Sequence, residues 1–225
     1  MRRESMSAMA TARRVLVLVA AATGVAAAAG AQAPAGGSQR GAWRLGASTG
    51  GYAPRSAVIL GADGSNTRLG AGPAFSLDVQ YPASRYLSVY ANGTMAFSTI
   101  TFGTSIRPSV VGPSNQVLVM GGTAGVLLSA PGSGGSGTHL QPTLRVGGGL
   151  KGYSFNLTDA QTQWRPTGDI GLGFRGVGSG PIEVTAEVRY LPSSFDQSKL
   201  PIRGIVPQKQ RQNDLAFGVG IAVRP

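Results

Sequence analysis

The sequence predicts an all-β protein, an eight-stranded antiparallel up-and-down transmembrane β-barrel preceded by a cleavable signal peptide. Three observations predict it: a basic then apolar N-terminus, period-two alternation in long segments through the rest of the chain, and connections that alternate between long and short.

Arg2, Arg3, Arg13 and Arg14 precede an apolar run from Val15 to Ala29, which is followed by the small residues Ala29-Gly30-Ala31. A basic region, an apolar core and a small-residue cleavage site are the three parts of a secretory signal. Cleavage after Ala31 avoids placing Pro34 directly behind the cut, so residues 1–31 are expected to be the signal peptide, 32–42 a short periplasmic segment and 43–225 one barrel domain. After residue 31 every apolar stretch is broken by Gly, Pro or polar residues, so a mature chain that enters a membrane must do so with strands.

The chain has no cysteine, which excludes a disulfide framework, thiol catalysis and Cys-ligated metal. Four Arg and one Glu lie in residues 1–31, a net three positive charges, so the formal +11 falls to +8 in the mature chain. Its Lys and Arg are spread singly, with no basic helix or zinc-finger spacing, which argues against nucleic acid and for anionic lipid or polysaccharide.

Eight strands are predicted over 43–52, 73–81, 86–98, 116–128, 140–153, 168–176, 182–191 and 214–223. Most are longer than the usual 5 or 6 residues of a soluble strand and match the roughly 9 to 11 that a tilted strand needs to cross a bilayer. The connections 53–72, 99–115, 154–167 and 192–213 are long, whereas 82–85, 129–139 and 177–181 are shorter. Strict alternation puts every long loop at one end and both termini at the other, and an even strand number closes the sheet without free edges.

Within the strands the side chains sort into two faces. Phe75, Leu77 and Val79, then Ile170, Leu172 and Phe174, then Ile182, Val184 and Val188, and last Leu215, Phe217, Val219 and Ile221 form the expected lipid-facing set. The opposite parity carries Arg44, Asp78, Arg145, Lys151, Asp169, Arg175, Glu183, Glu187, Arg189 and Asp214, mixed with Gly, Ala and Ser. Opposite charges among small residues suit a narrow lumen, and these ten are the expected ion-pair network. Segment 116–128 is apolar on both parities, so its facing stays open. Trp43, Tyr52, Tyr81, Tyr86, Phe97, Tyr153 and Tyr190 fall near strand ends, where an interfacial girdle is expected.

The opening strand Trp43-Arg-Leu-Gly-Ala-Ser-Thr-Gly-Gly-Tyr52 and the closing strand Phe217-Gly-Val-Gly-Ile-Ala-Val223 complete a mature chain that resembles the opacity-protein and OmpX-like outer-membrane β-barrel family. The resemblance implies a scaffold in the cell outer membrane, reached by export to the periplasm and inserted by the barrel-assembly machinery. It also implies external loops used for adhesion, surface shielding or envelope integrity. Family members typically end on an aromatic residue, whereas this chain ends Val223-Arg224-Pro225.

No residue set rises to a catalytic, cofactor-binding or metal site. Gly171-Leu-Gly-Phe-Arg-Gly176 has the dinucleotide glycine spacing but lies inside a strand, without the helix that such a site requires. His139, the only histidine, falls at the short-turn end, away from where a lipid-modifying triad would stand. Glu183 and Glu187 point the same way but face several predicted cations, which favours ion pairing over acid-base work. Asp63-Gly64-Ser65-Asn66 reads as a turn too poor in acids for calcium, and Asn92-Gly-Thr94 and Asn156-Leu-Thr158 match glycosylation sequons that a bacterial barrel would not use.

Lys199, Arg203, Lys209 and Arg211 form a candidate anion-contacting loop, with outer-membrane lipid and lipopolysaccharide as expected partners. The expected function is a non-enzymatic barrel scaffold. A lipid-modifying barrel enzyme and a soluble lipocalin-like barrel remain as alternatives.

Overall fold

A computed structural model describes residues 43–60, 66–101, 115–131, 139–155, 162–178, 180–197 and 209–224. The expected signal peptide, its cleavage site and the 32–42 segment lie outside these residues. Ten strands are present: β1 Arg44–Pro54, β2 Ala57–Leu60, β3 Asn66–Leu69, β4 Gly72–Pro82, β5 Leu87–Thr101, β6 Gln116–Ser129, β7 His139–Phe155, β8 Gln163–Val177, β9 Ile182–Asp196 and β10 Lys209–Val223.

The order β5-β4-β1-β10-β9-β8-β7-β6 is closed by pairing of β6 with β5, so eight antiparallel strands make a barrel with no free edge between them. Every predicted strand is present. The two extra strands, β2 and β3, form a hairpin within the 53–72 connection, and β3 extends the sheet beyond β5 through Arg68 and Leu69. No such element is expected from the sequence, because its four-residue strands are too short for a period to declare itself.

Two predicted long connections, 154–167 and 192–213, are shorter than expected. Strand β9 runs on to Asp196, β10 begins at Lys209 and β8 begins at Gln163. Lys209 and Arg211 are therefore strand residues and not loop residues, while Lys199 and Arg203 lie outside the described residues. The extension comes from register: Lys209 pairs with Asp196, and every residue from there to Val223 finds its partner on β9, so the polar Gln210-Arg-Gln-Asn213 stretch continues the ladder. Backbone pairing does not need apolar side chains, which is why the hydrophobic pattern stopped short.

The distribution of side chains is inside-out relative to a soluble barrel. Leu172 is 67% exposed, Val219 60% and Phe217 54%, whereas Asp169, Glu183 and Asp214 are 0% exposed. Phe75, Leu77, Ile170, Phe174, Ile182, Val184, Val188 and Ile221 are likewise exposed on the outer wall, with Val79 and Leu215 half-buried among their neighbours. A closed barrel with an apolar outside and charges inside is the form that strands take in the outer membrane, and the protein is such a barrel. A lipocalin-like reading needs the Leu215, Phe217 and Val219 face to line an apolar interior, and that face points outward.

Two of the expected girdle aromatics are misplaced. Tyr52 and Tyr153 are 1% and 0% exposed and lie inside the barrel. Strand-end position suggested an interface, but parity decides the matter: Tyr153 shares its face with Arg145 and Lys151, and Tyr52 shares its face with Arg44. The outer wall keeps Trp43 against Tyr81 at a centroid distance of 5.3 Å, with Tyr86 nearby in sequence, at the short-turn end. Phe97 and Tyr190 stand toward the loop end, where Tyr190 donates from its hydroxyl to Asn213 Oδ1 at 2.6 Å. Trp164, which falls in an expected connection, is exposed on β8 at that same end.

The charged lumen as candidate functional site

All ten expected lumen residues line the interior, and the structure sorts them into three knots along the barrel. At the short-turn end Glu183 of β9 is surrounded by Arg44 Nε at 3.4 Å, Arg175 Nε at 3.3 Å and Arg224 Nε at 3.0 Å. Arg175 also donates through Nη2 to Gln80 Oε1. Arg224 is absent from the predicted network, since the last strand was ended at Val223. Its backbone N–H donates to Pro181 O at 2.9 Å, which ties the end of β10 to the β8–β9 turn.

The middle knot is the densest. Arg189 grips Asp169 with two bonds, Nε to Oδ1 at 3.0 Å and Nη2 to Oδ2 at 2.7 Å, the forked geometry in which guanidinium and carboxylate pair most strongly. Its Nη1 reaches Asn92 Oδ1 at 2.7 Å, and Nη2 also reaches Thr123 Oγ1 at 3.1 Å. Asp169 Oδ2 accepts two further bonds, from Tyr90 at 2.9 Å and Thr123 at 2.7 Å. Beside this pair Arg145 Nη2 sits 2.9 Å from Asp78 and 3.1 Å from Glu187, with its guanidinium 4.3 Å from the centre of the Tyr90 ring. Cation and ring attract through the ring quadrupole, which strengthens when both are removed from water.

Glycine makes room for these long side chains. A Cβ at Gly147 would meet the Tyr90 hydroxyl at 2.3 Å, and one at Gly171 would press on the Arg189 stem at 3.1 Å and on Arg145 Cβ at 3.5 Å. Gly171 is thus a lumen residue chosen for closeness, and the dinucleotide spacing it shares is incidental.

Toward the loops, Lys151 Nζ lies 2.5 Å from Asp214 Oδ2 and donates to Leu191 O at 2.9 Å. The same carboxylate oxygen accepts from Tyr153 at 3.0 Å and from Tyr52. Lys151 and Tyr153 are on β7, Asp214 on β10 and Tyr52 on β1, so one carboxylate draws facing walls together. Beyond this knot the lumen turns apolar: Leu69, Ile100, Val117, Val119, Phe155 and Phe195 are buried together. Phe195 meets Tyr153 and Phe155 edge-on at 5.4 and 5.5 Å. This cap accounts for the loop-end part of segment 116–128, where Val117 and Val119 face inward against the apolar outer parity; Leu127, also buried, lies at the short-turn end beside Arg145.

Two spaces between the described lumen residues are small. A space of about 40 Å³ is lined by Asp78, Arg145, Arg175 and Glu187, and another of about 10 Å³ lies near Ser76 and Arg189. Such volumes hold a few water molecules at most, since one water needs roughly 10 to 15 Å³.

The sequence reading missed the neutral half of the network, above all Tyr90, Asn92, Thr123 and Gln80. Their signal was present, because each shares the parity of a charged lumen residue or of its register partner. His139 is exposed at the short-turn end of β7, as its sequence position implied. Asn92 of the first sequon is buried in the lumen; the second sequon and most of the Asp63 turn lie outside the described residues.

No protein-family model and no curated protein matches this chain. Among solved structures it is similar to the outer membrane protein OprG from Pseudomonas aeruginosa, at 12% identity and a TM-score of 0.49, covering 84% of this chain and 98% of that one. It is similar to the outer membrane protein AlkL in lipid bilayers, at 15% identity and a TM-score of 0.47, with coverage of 85% and 93%. Neisserial surface protein A is similar at 10% identity and a TM-score of 0.43, with coverage of 81% and 97%.

Proposed function

We propose that the protein is a non-enzymatic scaffold of the outer membrane, held shut by its lumen and presenting its loop end for surface interaction or envelope integrity. The observation that carries this reading is the filled interior, in which three knots of ion pairs and an apolar cap succeed one another along the barrel. A conducting pore needs a continuous wet path, and a transport function needs a cavity for the solute. Neither is compatible with side chains packed this way. The external loops then make whatever specific contacts the protein has, with outer-membrane lipid and lipopolysaccharide around the wall and the barrel-assembly machinery acting at insertion.

The experiment is reconstitution of the folded protein into planar bilayers, with folding checked by different gel mobility before and after boiling. Heat-modifiable mobility with no discrete conductance steps is expected. Stable conductance steps from heat-modifiable protein would overturn the closed-lumen reading, and recovery in the soluble periplasmic fraction without detergent would overturn the membrane reading.

A further inference from the structure

The outer wall of the barrel is apolar up to Leu215 on β10 and Tyr190 on β9, which stand opposite each other in register. Immediately above them, toward the loop end, the same outward parity of β10 carries Asn213, Arg211 and Lys209. Arg55 follows β1, and its backbone N–H donates to Asn213 O at 3.0 Å, so it continues the β1–β10 ladder and its outward side chain adjoins that of Asn213. Arg55, Lys209 and Arg211 are all exposed.

Spacing follows from strand geometry. Lys209 and Arg211 are two residues apart on one face, about 7 Å, and Arg55 is a diagonal neighbour of Arg211 at about 7 to 8 Å. Three cations at that spacing above an apolar wall match an amphiphile whose chains lie on the wall and whose phosphate stands at its edge. Among the described residues the three cations stand together on this side of the wall. The corresponding outward positions on β5, β6 and β7 are Thr99, Gln116 and Ser154, and the Asp196 carboxylate opposite Lys209 is bridged to Arg165 at 2.9 Å. Arg68, the other exposed cation of this end among the described residues, lies on β3 beside Thr101.

We propose that Arg55, Lys209 and Arg211 form a binding patch for the phosphate groups of a phosphorylated glycolipid in the leaflet at the loop end of the barrel. The proposal rests on the membrane reading above. Guanidinium and ammonium groups neutralise phosphate as charge-assisted donors, and their position at the rim of the apolar wall lets headgroup and acyl chains be held together.

The test compares the full folded protein with an Arg55→Ala, Lys209→Ala, Arg211→Ala variant in phosphatidylcholine nanodiscs doped with bisphosphorylated lipid A, reading retained lipid by native mass spectrometry. Arg85→Ala, at the opposite end, serves as comparator. Retention is expected to fall roughly tenfold or more in the triple variant and to be unchanged in Arg85→Ala. Dephosphorylated lipid A should be retained by neither protein.

Equal retention by native protein and triple variant would overturn the proposal, as would equal retention of lipid A with and without phosphate. Displacement of the lipid by millimolar inorganic phosphate would also overturn it, by showing a site for free phosphate. Gel mobility before and after boiling keeps the two readings apart: loss of retention selectivity in a heat-modifiable native protein sinks the patch alone, whereas a native protein that fails to enter nanodiscs sinks the membrane reading. If the triple variant does not fold, the single variants Arg55→Ala and Lys209→Ala carry the same comparison.

Discussion

The two halves of the lumen are held by different physics. The half toward the short turns is built from charges, with Glu183, Asp169, Asp78 and Glu187 each within ion-pair distance of at least one arginine. The half toward the loops is built like the core of a soluble protein, with Phe195, Phe155, Val117, Val119 and Ile100 packed in one cluster. The first half lies within the apolar outer belt, where the outside can contribute no water-driven burial because lipid is as apolar as the side chains. The second lies at the level where the outer wall turns polar, at Asn213 and Arg211, so burying apolar groups inside it gains from the hydrophobic effect. The Lys151–Asp214 pair marks the boundary.

That contrast sets an order of expected effects. Asp169→Ala should do the most damage, about 4 kcal/mol, because Arg189 would be left buried without its carboxylate and Tyr90 and Thr123 would lose their acceptor. Urea unfolding in lipid vesicles, followed by tryptophan fluorescence, measures it, and a loss under 1 kcal/mol would mean the middle knot is not what closes the barrel. Phe195→Ala should follow at about 3 kcal/mol, through the cavity left against Tyr153 and Phe155. Its loss should appear as faster proteolysis at the loop end, with the gel shift on boiling retained; a barrel that falls apart as a whole would show that the two halves are not separable.

On the outside, Leu172→Arg places a charge on the lipid face and is expected to cost about 2 to 4 kcal/mol in vesicles. The same substitution should cost little in detergent micelles, where the head reaches water. A cost independent of the surrounding amphiphile would contradict the lipid-facing placement. The smallest effect belongs to Arg224→Ala, under about 1 kcal/mol, because its side chain is 30% exposed and Glu183 keeps two other arginines. Salt titration of the unfolding midpoint checks this, and a large salt-sensitive loss would promote Arg224 from rim to core.

Most of the barrel was legible because a strand declares itself by parity, and parity needs no knowledge of neighbours. Strands β4, β8, β9 and β10 alternate so clearly that their two faces could be separated before any pairing was known, and the ten charged residues on one face meet inside. The places that were misread are those where parity was overruled by another cue. For Tyr52 and Tyr153 nearness to strand ends suggests the interface, although their parity points inward. The loop-end part of the 116–128 segment has no parity signal because its outer face is apolar while Val117 and Val119 on its inner face meet the apolar cap. The short hairpin of β2 and β3 carries too few residues to show a period at all.

What the sequence by itself determined is the number of strands in the closed barrel, the inside and outside of each strong strand, the lack of cysteine, and the lack after residue 31 of an apolar run long enough for a spanning helix, all of which are properties of residues along the chain. What only the tertiary structure decided is which charge meets which: Arg189 with Asp169, Lys151 with Asp214, and three arginines on Glu183. Those choices depend on the stagger of strands far apart in sequence and on the glycines that let long side chains pass, and neither can be known until the sheet has closed on itself.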